Sequence, residues 1–351
     1  MELSRDQLPV LLNALYELDQ RSIAVTHPAD EIGELLRIEL EGTTEATVSM
    51  TTGAVSYESA LDDIQRAYGS AVREELPNSA AYVKAVVASG LADIRNRQEV
   101  ETTINRYGYQ DLQEGHPPRY AGFDTNLLPW RMHDVLGIDP ELYSDEKGRV
   151  PVNGYTLPAG VETELSISYR YGQKAMPAAR LADAFGSEYA RLAGQPTEDN
   201  RETRLGLREF RRYRETRPHD IVSSDTGDTN IIDGCLDYYA DEPTGVILFS
   251  NDYGFIDEAR AQKIPAVHVD FDIDLPRQLI GTWDQIATLL YELAVTFGVL
   301  TLSKATLYGV WKDKDQHNWQ REEIDIEPRS EKLATILNRD KPIVEEYSQL
   351  L

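Results

Sequence analysis

The chain of 351 residues contains one cysteine, Cys235, and nine lysines. A single thiol makes an internal disulfide, a cysteine-based metal site and a redox pair impossible within one chain, so a small buried hydrophobe on a helix is the expectation for Cys235. Hydrophobic residues make up 41% of the sequence, yet no apolar run approaches the roughly 18 to 20 residues of a membrane span. The opening MELSRDQLPVLLNALYELDQR reads as an amphipathic helix carrying acids, without the basic start or small-residue cleavage site of a signal peptide. A soluble, cytoplasmic protein with no membrane partner is therefore expected. There is no G-x-G-x-x-G and no P-loop lysine pattern, which leaves a nucleotide cofactor without support.

Positive charge is scarce throughout. Sixty acids face 35 bases for a formal charge of -25, and the acids are spread along the chain rather than gathered in a tail. Of the bases, 26 are arginine. This balance looks like that of proteins from salt-loving archaea, where dense carboxylates hold water at the surface and strong salt screens their repulsion. An acid in such a chain signals nothing by its presence alone. Only its position can.

The first hundred residues read as mainly helical. Leu8, Leu11, Leu12 and Leu15 recur at helical spacing, and Ala29 to Leu40, Ser59 to Leu76 and Asn78 to Arg95 repeat the pattern, with a short hairpin at Ala46 to Tyr57. A turn-rich linker, Gly108 to Tyr120, leads into short apolar runs alternating with helices, the pattern of a parallel α/β sheet. Strands are expected at Tyr120 to Phe123, Gly154 to Leu157, Gly245 to Phe249 and Pro265 to Val269. Helices are expected at Ala175 to Ala193, Arg201 to Thr216, Thr229 to Tyr239 and Ile256 to Gln262, with one more after Pro158. The tail predicts an apolar helix Trp283 to Val299, strands Ala305 to Trp311 and Trp319 to Ile326, and a final helix from Glu331. The expected architecture is an α/β, Rossmann-like parallel-sheet core at 118–275, a mainly helical region of unknown role at 1–117, and an α+β extension at 276–351.

Asp124 and Asp252 directly follow apolar strands, at the carboxyl edge where open parallel sheets place their sites. Asp228 opens a helix and Glu164 lies one turn into another, so four acids can meet at one edge. At separations of about 5 Å and an effective dielectric of about 20, each pair would repel by about 3 kcal/mol. Either some take up protons or a cation stands among them, and an all-oxygen donor set favours Mg²⁺ or Mn²⁺ over Zn²⁺. Two positions stay open. Glu162 competes with Glu164, since residues two apart on a helix cannot face the same ion, and Asp225 competes with Asp228, which Ile231 and Ile232 favour by starting a buried face.

The strand ending in GFDTN, the later Glu164-Leu165, the Asp228-x-x-Ile231 helix opening and the strand ending in VILFSND before a Gly-Phe pair resemble the PIN-domain nucleases. The resemblance covers roughly Tyr120 to Asp274. It implies metal-dependent hydrolysis of phosphodiesters, usually in RNA, with Asp124, Glu164, Asp228 and Asp252 as ligands and catalytic carboxylates. It also implies that Thr125, Asn126 and Asn251 orient metal, water or carboxylate. A haloacid-dehalogenase-like phosphatase is a poorer match, because Asn126 stands where that family has a second Asp. A PIN-like scaffold that binds RNA or protein without catalysis is the other alternative. RNA processing, defence and toxin roles stay open, and the N-terminal region is a candidate for recognising a protein partner.

Arg201 to Arg217 carries seven arginines, with Phe210 and Tyr213 between them. Arg204, Arg208, Arg211 and Arg212 are candidate RNA contacts, because guanidinium forks suit phosphate and an aromatic can stack on a base. The competing expectation is a solvated face pairing with Glu202, Glu209 and Glu215. HVDFDID, His268 to Asp274, reads as a half-exposed edge strand whose Asp270 could add a ligand. His27, His116, His133, His219 and His317 show no ligand-like spacing, and Trp283, Trp311 and Trp319 read as packing.

Overall fold

The computed structural model describes residues 1–42, 44–171, 177–240 and 244–348. The chain begins β1 (Glu2–Ser4), α1 (Pro9–Glu17), β2 (Ser22–Thr26), β3 (Glu34–Glu41), β4 (Glu45–Met50), α2 (Ala54–Tyr68), α3 (Ser70–Arg73) and α4 (Ser79–Ala88). Next come α5 (Arg97–Tyr107), β5 (Arg119–Phe123), α6 (Met132–Val135), β6 (Gly154–Pro158), α7 (Ala159–Tyr171) and α8 (Ala178–Phe185). There follow α9 (Glu198–Thr216), β7 (His219–Val222), α10 (Asp228–Tyr239), β8 (Gly245–Ser250), α11 (Tyr253–Ala261) and β9 (Ala266–His268). The tail holds β10 (Gln278–Thr282), α12 (Trp283–Phe297), β11 (Val299–Thr301), β12 (Ala305–Tyr308), α13 (Gln316–Gln320), β13 (Glu323–Pro328) and α14 (Glu331–Ser348).

These elements form two compact units, Met1–Ala92 with Gln173–Arg201 and Ile273–Leu351, and Asp93–Gly172 with Glu202–Asp272. The first unit is built on an eight-stranded antiparallel sheet in the order β1-β13-β12-β11-β2-β3-β4-β10. Strands from both ends of the chain make this one sheet, so the expected separate regions 1–117 and 276–351 are corrected: Met1–Ala92 and Ile273–Leu351 share a unit, Asp93 to residue 117 joins the parallel-sheet unit, and Gln173–Arg201 leaves the expected 118–275 core for the first unit. Its α12 is buried on nearly every side, which explains its almost unbroken apolar sequence.

The mainly helical reading of the first hundred residues also needs correction. Ala29 to Leu40 is largely β3, and Ala46 to Tyr57 is no hairpin but β4 running into α2. Glu34–Glu41 is made of good helix formers, yet Leu36, Ile38 and Leu40 also alternate, and pairing with β2 on one side and β4 on the other decides for strand. Trp319 begins no strand but closes α13, ahead of β13. Of the helix expected at Ala175 to Ala193, residues 175 and 176 lie outside the described residues, and the rest is α8 and a 3-10 turn at Ser187–Leu192. The end of the helix expected from Glu331, residues 349–351, also lies outside them.

The second unit carries a five-stranded parallel sheet in the order β7-β6-β5-β8-β9. Its middle strands are apolar on both faces because helices cover both, which is why β6 and β8 are buried at every position. One face is aromatic: Tyr213 of α9 stacks on Tyr155 with ring centroids 4.1 Å apart, and Phe123 packs against Tyr155, Tyr213 and Phe249. The short edge strand β7 carries a charge among four residues and gives almost no period-2 signal. The edge strand expected at His268 to Asp274 stops at His268, since Asn96 Oδ1 accepts the Asp270 N–H at 3.0 Å and diverts the chain from any further ladder.

Two close approaches tie α7 to the loop before α10. The Gly160 N–H donates to Ser224 Oγ at 2.9 Å, and a Cβ at Gly160 would stand 2.1 Å from the Asp225 carbonyl oxygen. Gly160→Ala should therefore push the loop off the helix and cost on the order of 1–3 kcal/mol, the usual penalty of overpacking. Chemical unfolding in molar KCl would read it.

Candidate functional site

β5 is the middle strand of the parallel sheet. The chain leaves it outward through β6 and β7, then crosses back to lay β8 and β9 on its other side, so strand order reverses between β5 and β8. Register puts Phe123 opposite Phe249, and the Asp124 N–H donates to the Phe249 carbonyl at 3.0 Å. Asp124 thus stands beside Ser250 at the carboxyl ends of the two central strands. That is the position at which doubly wound sheets bind ligands.

Each of the four acids is held from a different element. Asp124 is buried, and its Oδ2 accepts from Ser250 Oγ and from Asn126 Nδ2, both at 2.6 Å. Glu164 accepts from Thr125 Oγ1 at 2.6 Å and from the Gly227 N–H at 2.8 Å, so it bridges the loop after β5 and the start of α10. Gly227 has φ +93°, a conformation in which a side chain would be strained. Asp228 is the first residue of α10, and Asp252 caps α11 by accepting the Gly254 N–H at 2.6 Å. The Ser250 hydroxyl also accepts the Asp252 N–H at 2.9 Å, linking the two acids through one side chain.

Their charges interact. Burial pushes the Asp124 carboxyl up to about 6; the Ser250 hydrogen bond works against this, and the charges of Asp228 and Glu164 add to it. Asp228 is also raised, by desolvation first and then by Asp252, Glu164 and Glu258. Among the described residues no arginine or lysine pairs with any of the four. A group of oxygen donors left without a counter-charge fits a hard divalent cation by its chemistry. The donors stand wider than a bare ligand shell, however. Among the described residues the group of three His, Cys, Asp or Glu ligand atoms within 4.8 Å of one another is His133, Asp134 and Asp139.

That tighter group is already neutralised. Arg217 Nε lies 3.0 and 2.9 Å from the two Asp139 oxygens, and Arg131 meets Asp134 at 3.0 Å. His133 stands 3.2 Å from Asp134 and 3.0 Å from the fully buried Glu209. Burial alone would raise the Glu209 carboxyl, but His133, Arg208, Arg212 and Arg131 together hold it below its ordinary value. An ion here would have to displace arginines. We therefore read it as a structural ion network, although Asp134 also lines a cavity of about 420 Å³ that none of the four edge acids borders.

The two open positions resolve in the structure. Glu162 turns away and pairs with Arg214 at 2.7 Å, while Glu164 faces the group. Asp225 and Asp228 are both exposed, and it is Asp228 whose carboxyl feels the charges of Asp252 and Glu164. Asp270 faces Arg95 at 3.8 Å rather than the four acids. Asn251 serves the backbone, its N–H donating to Asn126 Oδ1 at 3.2 Å and its amide to the Val269 carbonyl at 2.8 Å. Ser250 and Glu258 were not singled out from the sequence. The serine lies inside the quoted VILFSND run, and Glu258 is one acid among sixty.

The arginine helix departs from the expectation at Arg208 and at its two aromatics. Arg208 is buried beside Glu209, and Phe210 and Tyr213 are buried too, so no aromatic of α9 is open to a base. Arg212 lies 3.7 Å from Glu209, while Arg204 and Arg211 are half-buried. Cys235 is buried on α10, its thiol pushed up to about 12 by burial, and Trp283, Trp311 and Trp319 are buried. Among the described residues no helix is long and apolar enough to cross a membrane. Comparison with protein-family models, curated proteins and solved structures finds no match.

The rise of Asp124 from 3.8 to about 6 has a consequence for stability. The folded state disfavours the charged form, so the penalty is absent below about pH 3, where the group is neutral in both states, and complete above about pH 6. Asp124→Asn should accordingly stabilise the metal-free chain at pH 8 by up to about 3 kcal/mol and leave it unchanged at pH 3. Urea unfolding at the two pH values measures the difference.

Proposed function

We propose that the second unit is a PIN-like, divalent-metal-dependent endoribonuclease whose chemistry lies at the edge carrying Asp124, Glu164, Asp228 and Asp252. The observation that carries the reading is the group of four acids from four elements, gathered where strand order reverses and, among the described residues, left without a counter-charge. The motif resemblance directs it to RNA.

Asp124, Asp228 and Asp252 would hold Mg²⁺ or Mn²⁺ with Glu164, partly through waters, since Mg²⁺ usually keeps several and takes one or two carboxylates directly. Such an ion, when bound, lowers the pKa of a coordinated water and offsets charge on the leaving oxygen. The protein's own part is positioning. Ser250 and Asn126 fix Asp124 in one rotamer, and Thr125 and the Gly227 N–H do the same for Glu164. Because Asn126 is engaged in holding Asp124 Oδ2, it offers no second acid for phosphatase chemistry of the dehalogenase type.

Cleavage of labelled single-stranded RNA in molar KCl tests the reading. Activity should require Mg²⁺ or Mn²⁺ and be lost in Asp124→Asn and Asp252→Asn. Thr125→Ala and Ser250→Ala, which remove only supporting hydrogen bonds, should lower it roughly 10- to 100-fold. Glu162→Gln should cut as the parent chain does. Absence of cutting on varied RNAs, together with absence of metal binding, would favour the non-catalytic scaffold.

A further inference from the structure

Tyr253 follows Asp252 and opens α11, whose buried side is made by Phe255, Ile256 and Ala259. The tyrosine ring takes no part in that core. It stacks on His268, with ring centroids 3.7 Å apart and planes 11° from parallel, and still is 65% exposed. A ring covered on one face and exposed to that degree presents its other face to water. His268 is itself buried at the carboxyl end of β9, its Nε2 lying 3.1 Å from the Asn251 carbonyl. The outcome is a braced aromatic plate one residue from a proposed metal carboxylate.

The charge pattern says what can bind there. Arg208 is buried, and Arg212, Arg214 and Arg217 are matched to Glu209, Glu162 and Asp139, in a chain of net charge -25. Attraction of phosphates to basic side chains, which supplies most non-specific nucleic-acid affinity, is poorly provided for. Stacking of a base on an aromatic ring needs no positive charge and tolerates any sequence. It does require a base free of its helix, because a paired base has both faces covered.

Resting on the nuclease reading above, we propose that Tyr253 is the platform for an unpaired base of single-stranded RNA, whose adjoining phosphodiester lies among the four carboxylates. Tyr253 adjoins Asp252 in the chain, with Cα atoms about 3.8 Å apart, which puts the plate and that carboxylate on the scale of one nucleotide. Tyr253 thereby selects single strands over duplex. Salt should act in the reverse of the usual direction: with net repulsion to screen and few phosphate pairs to weaken, affinity holds or rises from about 0.3 M to about 3 M KCl.

The test is fluorescence anisotropy of a labelled oligoadenylate and of a duplex RNA of equal length, using the full chain in an Asp124→Asn background. Tyr253→Ala and Tyr253→Leu should weaken oligoadenylate binding roughly 5- to 100-fold, and Tyr253→Phe and Tyr253→Trp by no more than about twofold. Duplex binding should be equally weak in all of them. Leucine binding as well as tyrosine, or affinity falling steeply with salt, would overturn the assignment. If the parent chain cleaves RNA with metal while all four Tyr253 variants bind alike, the platform fails and the nuclease stands. If the parent chain neither binds nor cleaves, both fail.

Discussion

Carboxylates brought together by a fold repel one another, and the second unit meets that repulsion in two ways. Around His133 the acids Asp134, Asp139 and Glu209 are interleaved with Arg131, Arg208, Arg212 and Arg217, so the charge is cancelled inside the protein. At the carboxyl edge of the sheet nothing of the kind happens among the described residues. Burial and like charge there hold Asp124 well above its usual range and raise Asp228 with it. The first group is balanced as it stands, whereas the second is balanced only by a proton or a cation. That contrast, rather than the number of acids, separates a structural network from a candidate metal centre.

The remainder of the second unit serves to keep the unbalanced group in place. Parallel pairing sets Asp124 beside Ser250, one hydroxyl links Asp124 to Asp252, and Glu164 ties the loop after β5 to the start of α10. Helix N-termini at Asp228 and Asp252 add partial positive charge to the same edge, and this makes the repulsion bearable without removing it. Exposed Tyr253, stacked on His268, gives the edge an apolar flank.

Legibility in the sequence followed the strength of local signals. β8 and β6 are short apolar runs bounded by turns, and the acids just past the ends of β5 and β8 were conspicuous because an acid helps neither strand nor core. What failed was decided at long range. Glu34–Glu41 reads as helix or strand with equal ease, and its partners determine the outcome. No local pattern tells that β13, near the end of the chain, pairs with β1 at its beginning. The arginines of α9 looked like a surface because charge is usually solvated, and Arg208 is instead buried in the fold beside its neighbour Glu209, itself fully buried. Nor could spacing reveal that His133 would meet Asp139 and Glu209, since that needs the fold.

The most direct measurement is a Mn²⁺ titration of the full chain in molar KCl, followed by electron paramagnetic resonance, with Asp124→Asn and Asp134→Asn in parallel. If the edge carboxylates are the metal centre, the parent chain and Asp134→Asn bind Mn²⁺ alike and Asp124→Asn loses at least one ion. Binding that survives Asp124→Asn and disappears in Asp134→Asn would place the metal in the arginine-balanced network and contradict the account.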